Sequence, residues 1–193
     1  MLTQKHHNIK RKPIKIGRGV AQKWSTYNLH VNTHCKPLVR YSKIKPSTLT
    51  ASLPLTRTRT GTRPPKVSEF KRGIRGADAI LFVTPEYNNS VPGVLKNAID
   101  WASRPYGDSA WNGKPAAIMG ASPGAMDTAR AQYHLRQILV FLNMFPINVP
   151  EVMISHAASC FDKEGNLTDE STRDHIRRLL QSLLEWARRL TPS

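Results

Sequence analysis

Acidic residues are missing from the first third of this 193-residue chain. The first 68 residues contain no Asp or Glu, whereas ordinary usage of charged residues would place about eight acidic side chains there. Residues 1–63 hold 14 Lys and Arg, while residues 64–193 hold 15 basic and all 13 acidic side chains. Because the formal net charge of +16 is concentrated in the first third, it does not by itself predict a nucleic-acid-binding or membrane-binding protein.

Cysteines and long apolar runs are also scarce. Cys35 and Cys160 are far apart and neither belongs to a metal-binding pair, which argues against a disulfide framework or a structural metal. No apolar run approaches the roughly 18 residues of a membrane-spanning helix, and the N-terminus lacks the apolar segment of a secretory signal. We therefore expect a cytoplasmic protein with no metal and no membrane partner.

Residues 64–193 begin with a strand, a loop and a helix. The apolar run ADAILFVTP, residues 77–85, predicts a strand buried on both faces. After the loop, Ser90 is a candidate N-cap, and Pro92 is tolerated in a first helical turn. Apolar residues then recur at helical spacing, at Val94, Leu95, Ala98, Ile99 and Ala102.

The same alternation continues to the C-terminus. KPAAIMGAS, residues 114–122, predicts a second strand, and a long amphipathic helix is expected over residues 123–145. INVPEVMISHA, residues 147–157, predicts a third strand, and Thr168 is a candidate cap for the last helix. Strands that alternate with helices predict a parallel sheet covered on both faces. In residues 1–63 no pattern indicates a particular strand or helix.

Two loops follow predicted parallel strands, at residues 84–90 and 120–124. Ligands of open α/β sheets bind beyond the carboxyl ends of the strands. The first loop offers backbone amides, a Tyr ring and an Asn amide to a flat polar ligand. The second, GASPG, has small residues that allow a ligand or a neighbouring subunit to approach the backbone.

The stretch PEYNNSVPGVLKNAIDWASRP, residues 85–105, resembles the signature of the NAD(P)H-dependent FMN reductases, a flavodoxin-like family that includes quinone, azo-dye and chromate reductases. The G-x-S-x-G loop of residues 120–124 follows in the same order, and the resemblance covers residues 64–193. It implies a flavodoxin-like fold and an FMN at the sheet edge. It also implies that hydride passes from NADPH or NADH to the flavin and on to a quinone, azo, metal-oxyanion or free-flavin acceptor.

The resemblance also implies which residues form the site. The FMN ring would lie against Pro85, Glu86, Tyr87 and Asn88, with Ser122 and Gly124 near the same site or a subunit contact. Because the flavin carries the chemistry in such enzymes, no catalytic side chain is assigned.

Members of the family are homodimers or homotetramers. Arg130, Tyr133 and Glu151 match positions that can join subunits in some of them. Without the motif around them, Tyr87 and Ser122 would be interpreted as ordinary surface residues, and Arg130 and Tyr133 as a solvent-facing pair on a helix. His134, His156, His175 and Cys160 form no metal-like grouping in the sequence.

One part of the family pattern is not found. The family places its first strand and phosphate loop, roughly G-S-x-R-x-x-S-x-N, at the N-terminus, and the nearest stretch here is KIGRGVAQKWS, residues 15–25. No apolar strand pattern precedes that stretch. We therefore expect a flavodoxin-like sheet whose first strand and phosphate loop are missing or replaced. Residues 1–63 would be a basic segment, disordered or frame-shifted, before the flavodoxin-like region of residues 64–193.

A shifted reading frame would explain the basic segment. In LTRTRTGTRPP, residues 55–65, a shift of one base converts Thr codons to Tyr, His, Asn or Asp codons, and CGN Arg codons to Ser, Pro, Thr or Ala codons. Thr-Arg repeats are thus what an Asp-Ala-like acidic segment would give when read out of frame. The family often has LPLY followed by acidic residues before Pro-Pro, and here SLPL, residues 52–55, stands at the matching distance.

A genuine extension is the alternative. Ser-rich, Arg-containing and acid-free composition is typical of transit peptides, and a basic arm can bind nucleic acid or other polyanions. A transit peptide would precede a complete catalytic domain, and the expected first strand does not follow it. A nucleic-acid arm would carry more aromatic residues than Trp24, Tyr27 and Tyr41. We favour the frame shift and expect no nucleic-acid partner.

Overall fold

The computed structural model describes residues 64–190 and, by their backbone alone, residues 14–19 and 39–43. The described elements are β1 (Ile14–Gly19), β2 (Val39–Lys43), α1 (Pro65–Arg75), β3 (Ala79–Val83), α2 (Gly93–Ser103), β4 (Pro115–Ala121), α3 (Ala129–Phe141), β5 (Phe145–Pro146), β6 (Val152–Ile154), α4 (Ala157–Cys160) and α5 (Glu170–Leu190). From α1 to β5, helices and strands alternate along the chain, as the sequence predicts.

The strands form one parallel sheet in the order β2-β1-β3-β4, and β5 and β6 both pair with β4. At its carboxyl end, β3 pairs with β4 through Val83 and Met119, and β4 pairs with β6 through Ala121 and Ile154. Because every pairing is parallel, the carboxyl ends of the strands lie at one edge of the sheet. The predicted parallel sheet is confirmed.

Alternate residues of the central strands feed two hydrophobic cores. Ile80 and Phe82 of β3 pack in the core that includes α1, α2 and α3. Ala79 and Leu81 point to the opposite face and pack with α5. Since both faces are buried, every residue from Ala79 to Phe82 is apolar, which produces the continuous run seen in the sequence.

Several predicted boundaries differ from the structure. Helix α2 begins at Gly93 after Pro92 and has no side-chain cap, so the prediction of Ser90 as its N-cap is wrong. Helix α3 begins only at Ala129, because Asp127 has φ +53° and cannot continue a right-handed helix.

The C-terminal elements differ as well. Of the predicted third strand over residues 147–157, only Val152–Ile154 form a strand, β6, while the short β5 lies just before this segment. Pro150 lies between β5 and β6. A proline cannot donate a backbone hydrogen bond to a neighbouring strand, which disfavours a continuous strand there. The cap of α5 is Asp169 rather than Thr168, since Asp169 Oδ2 accepts a hydrogen bond from the Thr172 N–H at 2.6 Å.

Two strands occur in the segment where the sequence indicated none. The backbone of β1 lies between β2 and β3, with Ile16 opposite both Tyr41 and Ala79. The alternation of Ile, Gly and basic residues in β1 gives no apolar run, which is why the sequence indicated no strand there. The expectation that the first strand and phosphate loop are missing or replaced stays a prediction. Residues 20–38, where a phosphate loop would follow β1, lie outside the described residues. The frame shift, the basic extension and the division at residue 63 stay predictions.

The described residues contain neither a membrane-spanning helix nor a metal-binding cluster. In that part of the chain, no helix has both the length and the apolarity that crossing a membrane requires. Its His, Cys, Asp and Glu side chains form no group of three or more that could hold a metal ion. The Cys160 thiol is half-buried and not in a disulfide.

Candidate functional site

Two loops extend from the carboxyl edge of the sheet. One runs from Thr84 to Pro92, after β3, and the other from Ser122 to Thr128, after β4. The strands β3 and β4 are neighbours, and the ladder continues past β3 because the Thr84 N–H donates to the Met119 carbonyl at 3.0 Å. The two loops that the sequence singled out therefore leave the sheet side by side.

The first loop contains a tight hairpin. The Tyr87 N–H donates to the Ser90 carbonyl and the Ser90 N–H donates to the Tyr87 carbonyl, both at 3.0 Å. Between them, Asn88 and Asn89 have φ of +50° and +62°, the pattern of a two-residue type I′ turn. Asn tolerates this conformation better than most residues, which explains the Asn-Asn pair. Tyr87 is 52% exposed, so the turn presents an accessible aromatic ring beside its amides.

Glu86 fastens the start of this hairpin to α3. Its side chain is only 7% exposed, and its carboxylate accepts hydrogen bonds from the Ala131 N–H at 3.0 Å and the Arg130 Nε at 2.7 Å. Thr128 makes no side-chain cap at this helix, so Glu86 satisfies an N–H of the first turn and places negative charge at its positive end. Because the Glu86 carboxylate already bonds α3, only the backbone of Glu86 is available to contact a ligand.

The other end of the hairpin is also fastened to α3. Ser90 Oγ and His134 Nδ1 lie 2.9 Å apart. Nothing in the sequence signalled this pair, since the two residues are 44 positions apart and His134 belongs to no motif. Ser90 is therefore a hairpin anchor rather than the helix cap that its position suggested.

The second loop is fixed by the segment that follows β6. The Ser122 N–H donates to the Ile154 carbonyl at 2.9 Å, and the Ser122 carbonyl accepts from the Ala157 N–H at 3.0 Å. Ser122 Oγ accepts a bond from the Gly124 N–H at 3.2 Å. Gly124 is exposed, and a Cβ built on it would meet only Ser122 Oγ, 3.7 Å away. The loop thus has a fixed backbone and an open outer side.

Gly120 brings the two loops together. A Cβ at this position would lie 2.3 Å from Thr128 Oγ1 and 2.4 Å from the Thr84 carbonyl oxygen. Thr84 and Thr128 are both fully buried. Thr128 Oγ1 accepts a hydrogen bond from Gln132 Nε2 at 2.9 Å. Only glycine fits here without moving the base of one loop, which gives the first glycine of the GASPG stretch a packing role.

The three predicted subunit-contact residues interact within one chain. Tyr133 Oη donates to Glu151 Oε2 at 3.2 Å, and Arg136 Nη2 lies 3.6 Å from Glu151 Oε1. Arg130 contacts Glu86, as described above, yet keeps 43% of its side chain exposed. All three are thus on the outside of α3 or beside it, and a role in oligomers stays a prediction.

The six predicted FMN-site residues fall on the two loops. Pro85, Glu86, Tyr87 and Asn88 follow β3, while Ser122 and Gly124 follow β4. An exposed aromatic ring, the amides of a fixed turn and an open glycine loop suit a flat polar ring system such as isoalloxazine. The residues present therefore fit the ring of the group that the resemblance implies, while residues 20–38, where a phosphate loop would follow β1, lie outside the described residues.

The chain is similar to several known proteins. The family described as NADPH-dependent FMN reductase matches residues 21–159. An NAD(P)H-dependent FMN reductase of Pseudomonas aeruginosa is 61% identical over 127 residues, which are 66% of this chain and 68% of that protein. A 2-hydroxy-1,4-benzoquinone reductase of a Burkholderia species is 49% identical over 125 residues, 65% of this chain and 68% of that protein.

A solved structure extends the similarity to the fold. The flavoenzyme NAD(P)H:(acceptor) oxidoreductase FerB of Paracoccus denitrificans superimposes with a TM-score of 0.74 at 29% identity. The match covers 93% of this chain and 98% of that one. The flavodoxin-like parallel sheet that residues 85–105 implied is thereby confirmed.

Proposed function

Because the chain belongs to the NADPH-dependent FMN reductase family, we propose that it is an FMN-dependent NAD(P)H oxidoreductase with quinone or flavin acceptors. The family supports FMN and a reduced nicotinamide as cofactors. The quinone acceptor is supported by the activity for which the Burkholderia relative is named. NADPH and NADH are both compatible with the names of these relatives.

The observation that carries the proposal is the fixed hairpin at the carboxyl edge of β3. When bound there, FMN supplies the redox chemistry by accepting hydride from the nicotinamide and passing electrons to the acceptor. The chain's own residues bind the FMN and orient it. Tyr87 offers a half-exposed ring to the flat face of the ligand, and the turn amides beside Asn88 offer hydrogen bonds to its polar rim.

Pro85 and Glu86 fix the backbone conformation of the loop where it leaves β3. The proline lacks an N–H and restricts the backbone where the loop leaves β3, while the buried carboxylate of Glu86 ties the next residue to α3. On the side of β4, Ser122 and Gly124 form the border of the site. No proton donor or acceptor is required of any of these side chains, so we assign no catalytic residue.

An FMN titration followed by flavin fluorescence, together with NADPH oxidation, tests the proposal. Saturable binding with turnover would support the proposal and mean that residues 1–63 supply a phosphate site. If the chain as written does not bind, but a chain with a frame-corrected N-terminus binds and turns over NADPH, the frame shift is supported. If neither chain binds FMN, the proposed function is wrong.

A pair of tyrosine variants localises the site. Tyr87→Ala should weaken FMN binding about tenfold, because it removes an aromatic contact with the ring. Tyr106→Ala is the matched control. Tyr106 is 77% exposed and precedes β4, at the opposite end of the strand from the two loops. Equal FMN affinities of the two variants would argue against the hairpin as the flavin site.

We also propose a homodimer or homotetramer in which Arg130, Tyr133 and Glu151 contribute to the contact. Tyr133 is 52% exposed, and the far end of α3 adds the exposed apolar residues Val140 and Phe141, each 75% exposed. Sedimentation velocity of the wild type and of Tyr133→Ala tests this assembly. A monomeric wild type would contradict it. A cytoplasmic location is part of the same proposal.

A second function, binding of polyanions through the basic N-terminal segment, is favoured only by the absence of acidic residues from the first 68 positions. Counterion release makes such binding strongly dependent on salt. Titration with a fluorescent oligonucleotide at low and high salt separates the two functions. Salt-sensitive binding without FMN binding would favour the second.

A further inference from the structure

The hairpin of Tyr87 to Ser90 is attached to one helix at both ends. Glu86, directly before the hairpin, bonds Arg130 and Ala131, and Ser90, its last residue, bonds His134. Arg130 and His134 are four residues apart, so they lie on the same side of α3 one turn from each other. Helix α3 therefore acts as a template along which the hairpin is aligned.

We propose that His134 is a positioning residue of the flavin site. Through Ser90 it holds the closing residue of the hairpin, and thereby the Tyr87 ring and the turn amides, in the conformation that receives the flavin. The proposal rests on the proposed function and adds to it a residue that touches neither the flavin nor the acceptor.

The physical need for this anchor follows from the turn itself. Two backbone hydrogen bonds close the hairpin, and both central residues hold positive φ. A two-stranded hairpin is at best marginally stable without further contacts. Glu86 restrains the entering side of the hairpin, and beyond the leaving side Val91 packs against the hydrophobic core. The contact with His134 restrains the closing residue of the turn itself, so its loss should loosen the turn. A ligand that binds an ordered loop avoids the entropy cost of ordering it, so the anchor strengthens FMN binding.

The Ser90–His134 contact shows which substitutions of His134 should keep the hydrogen bond and which should lose it. Ser90 Oγ meets His134 through Nδ1, the ring nitrogen nearer the backbone. The amide of Asn reaches about the position of Nδ1, whereas the longer Gln places its amide near the position of Nε2. His134→Asn should therefore keep the bond to Ser90, and His134→Gln and His134→Ala should lose it. Gln137→Ala changes an exposed residue on the same helix and serves as the control.

The experiment uses the full chain and two measurements. Amide hydrogen exchange of Tyr87 and Ser90 in the FMN-free protein reports the order of the hairpin, and FMN titration reports the site. We expect His134→Ala, His134→Gln and Ser90→Ala to exchange faster and to bind FMN about fivefold more weakly, the effect of one hydrogen bond. His134→Asn and Gln137→Ala should resemble the wild type in both measurements.

A double variant tests whether the two residues act through each other. Ser90→Ala combined with His134→Ala should be no weaker than either single variant, because both remove the same contact. Additive losses of affinity would mean that His134 acts without Ser90 and would overturn the proposal. Urea midpoints are measured for every variant. The proposal would also be overturned if His134→Ala lost FMN affinity together with a lowered urea midpoint and His134→Asn did not restore that affinity.

The outcomes separate this proposal from the proposed function. Unchanged exchange in His134→Ala overturns the positioning role whether or not the protein binds FMN. Faster exchange in His134→Ala, restored by His134→Asn, supports the positioning of the hairpin. If neither the wild type nor the frame-corrected chain then binds FMN, it is the flavin function that fails.

Discussion

The carboxylate of Glu86 accepts a hydrogen bond from the backbone N–H of Ala131, the third residue of α3, at 3.0 Å. The two residues are 45 positions apart, so a loop that follows one strand caps the helix that follows the next. This contact fixes the direction in which the hairpin leaves β3. It also shows how a motif that resembles a ligand-binding sequence can contain a residue whose side chain serves the fold.

Replacing Glu86 should cost stability as well as FMN affinity. Glu86→Ala leaves a helix N–H and part of the Arg130 guanidinium without their acceptor, and we expect the free energy of unfolding to fall by about 2 kcal/mol. Arg130→Ala leaves the bond to Ala131 intact and should cost about 1 kcal/mol or less, because this guanidinium is partly exposed. Urea unfolding measures both. Equal costs for the two variants would refute the capping role.

Gly120→Ala should destabilise the base of both loops. The added methyl group would meet Thr128 Oγ1 and the Thr84 carbonyl at 2.3 and 2.4 Å, and relief requires the backbone to shift. Overpacking of this kind costs about 1 to 3 kcal/mol. Gly93→Ala is the matched control, since a Cβ at Gly93 has no neighbour within 4 Å. Thermal unfolding should show a lower midpoint for Gly120→Ala than for Gly93→Ala, and the reverse order would contradict the packing.

Asn89 should tolerate glycine better than alanine. Its φ of +62° suits Gly, whereas Ala pays about 1 kcal/mol in the left-handed region. We expect Asn89→Gly to keep the stability and FMN affinity of the wild type and Asn89→Ala to lose some of each. Urea unfolding and FMN titration test the pair. A turn that accepts both residues equally would not have the observed backbone conformation.

Acid should remove the stabilising effect of Asp169. The hydrogen bond from the Thr172 N–H holds the pKa of Asp169 below its ordinary value of 3.8. Since the folded state lowers this pKa, the contribution of Asp169 is fully present above pH 3.8 and is lost as the pH falls through the lower folded value. The difference in stability between wild type and Asp169→Ala should therefore be constant near neutral pH and shrink in acid.

The control for this prediction is Asp169→Asn. Asn is as good a helix cap as Asp but carries no titrating group. Its stability relative to Asp169→Ala should persist at low pH. Urea unfolding at several pH values measures the stability of all three proteins. If the stability difference between wild type and Asp169→Ala grew in acid, the predicted direction of the pH dependence would be wrong.

Local patterns were sufficient to predict much of the fold. The continuous apolar run of residues 77–85 predicted a strand buried on both faces, and β3 is such a strand. Its prediction needed only neighbouring residues, because burial on both faces makes every position apolar. Boundaries were less predictable. Asp127 delays the start of α3 through a backbone conformation that no periodicity reveals, and the predicted strand of residues 147–157 is reduced to β6, which begins after Pro150.

The features of the site likewise fall into those predicted from local sequence and those set by tertiary contacts. The sequence by itself determined the alternation of strands and helices, the two loops that follow β3 and β4 and the resemblance to the FMN reductases, because these depend on residues adjacent in the chain. Only the tertiary structure decided that Glu86 caps α3, that Ser90 bonds His134 and that Gly120 lets the bases of two loops pack closely. Those partners are brought together by the parallel pairing of β3 with β4, and the position of a distant partner is not encoded in local spacing.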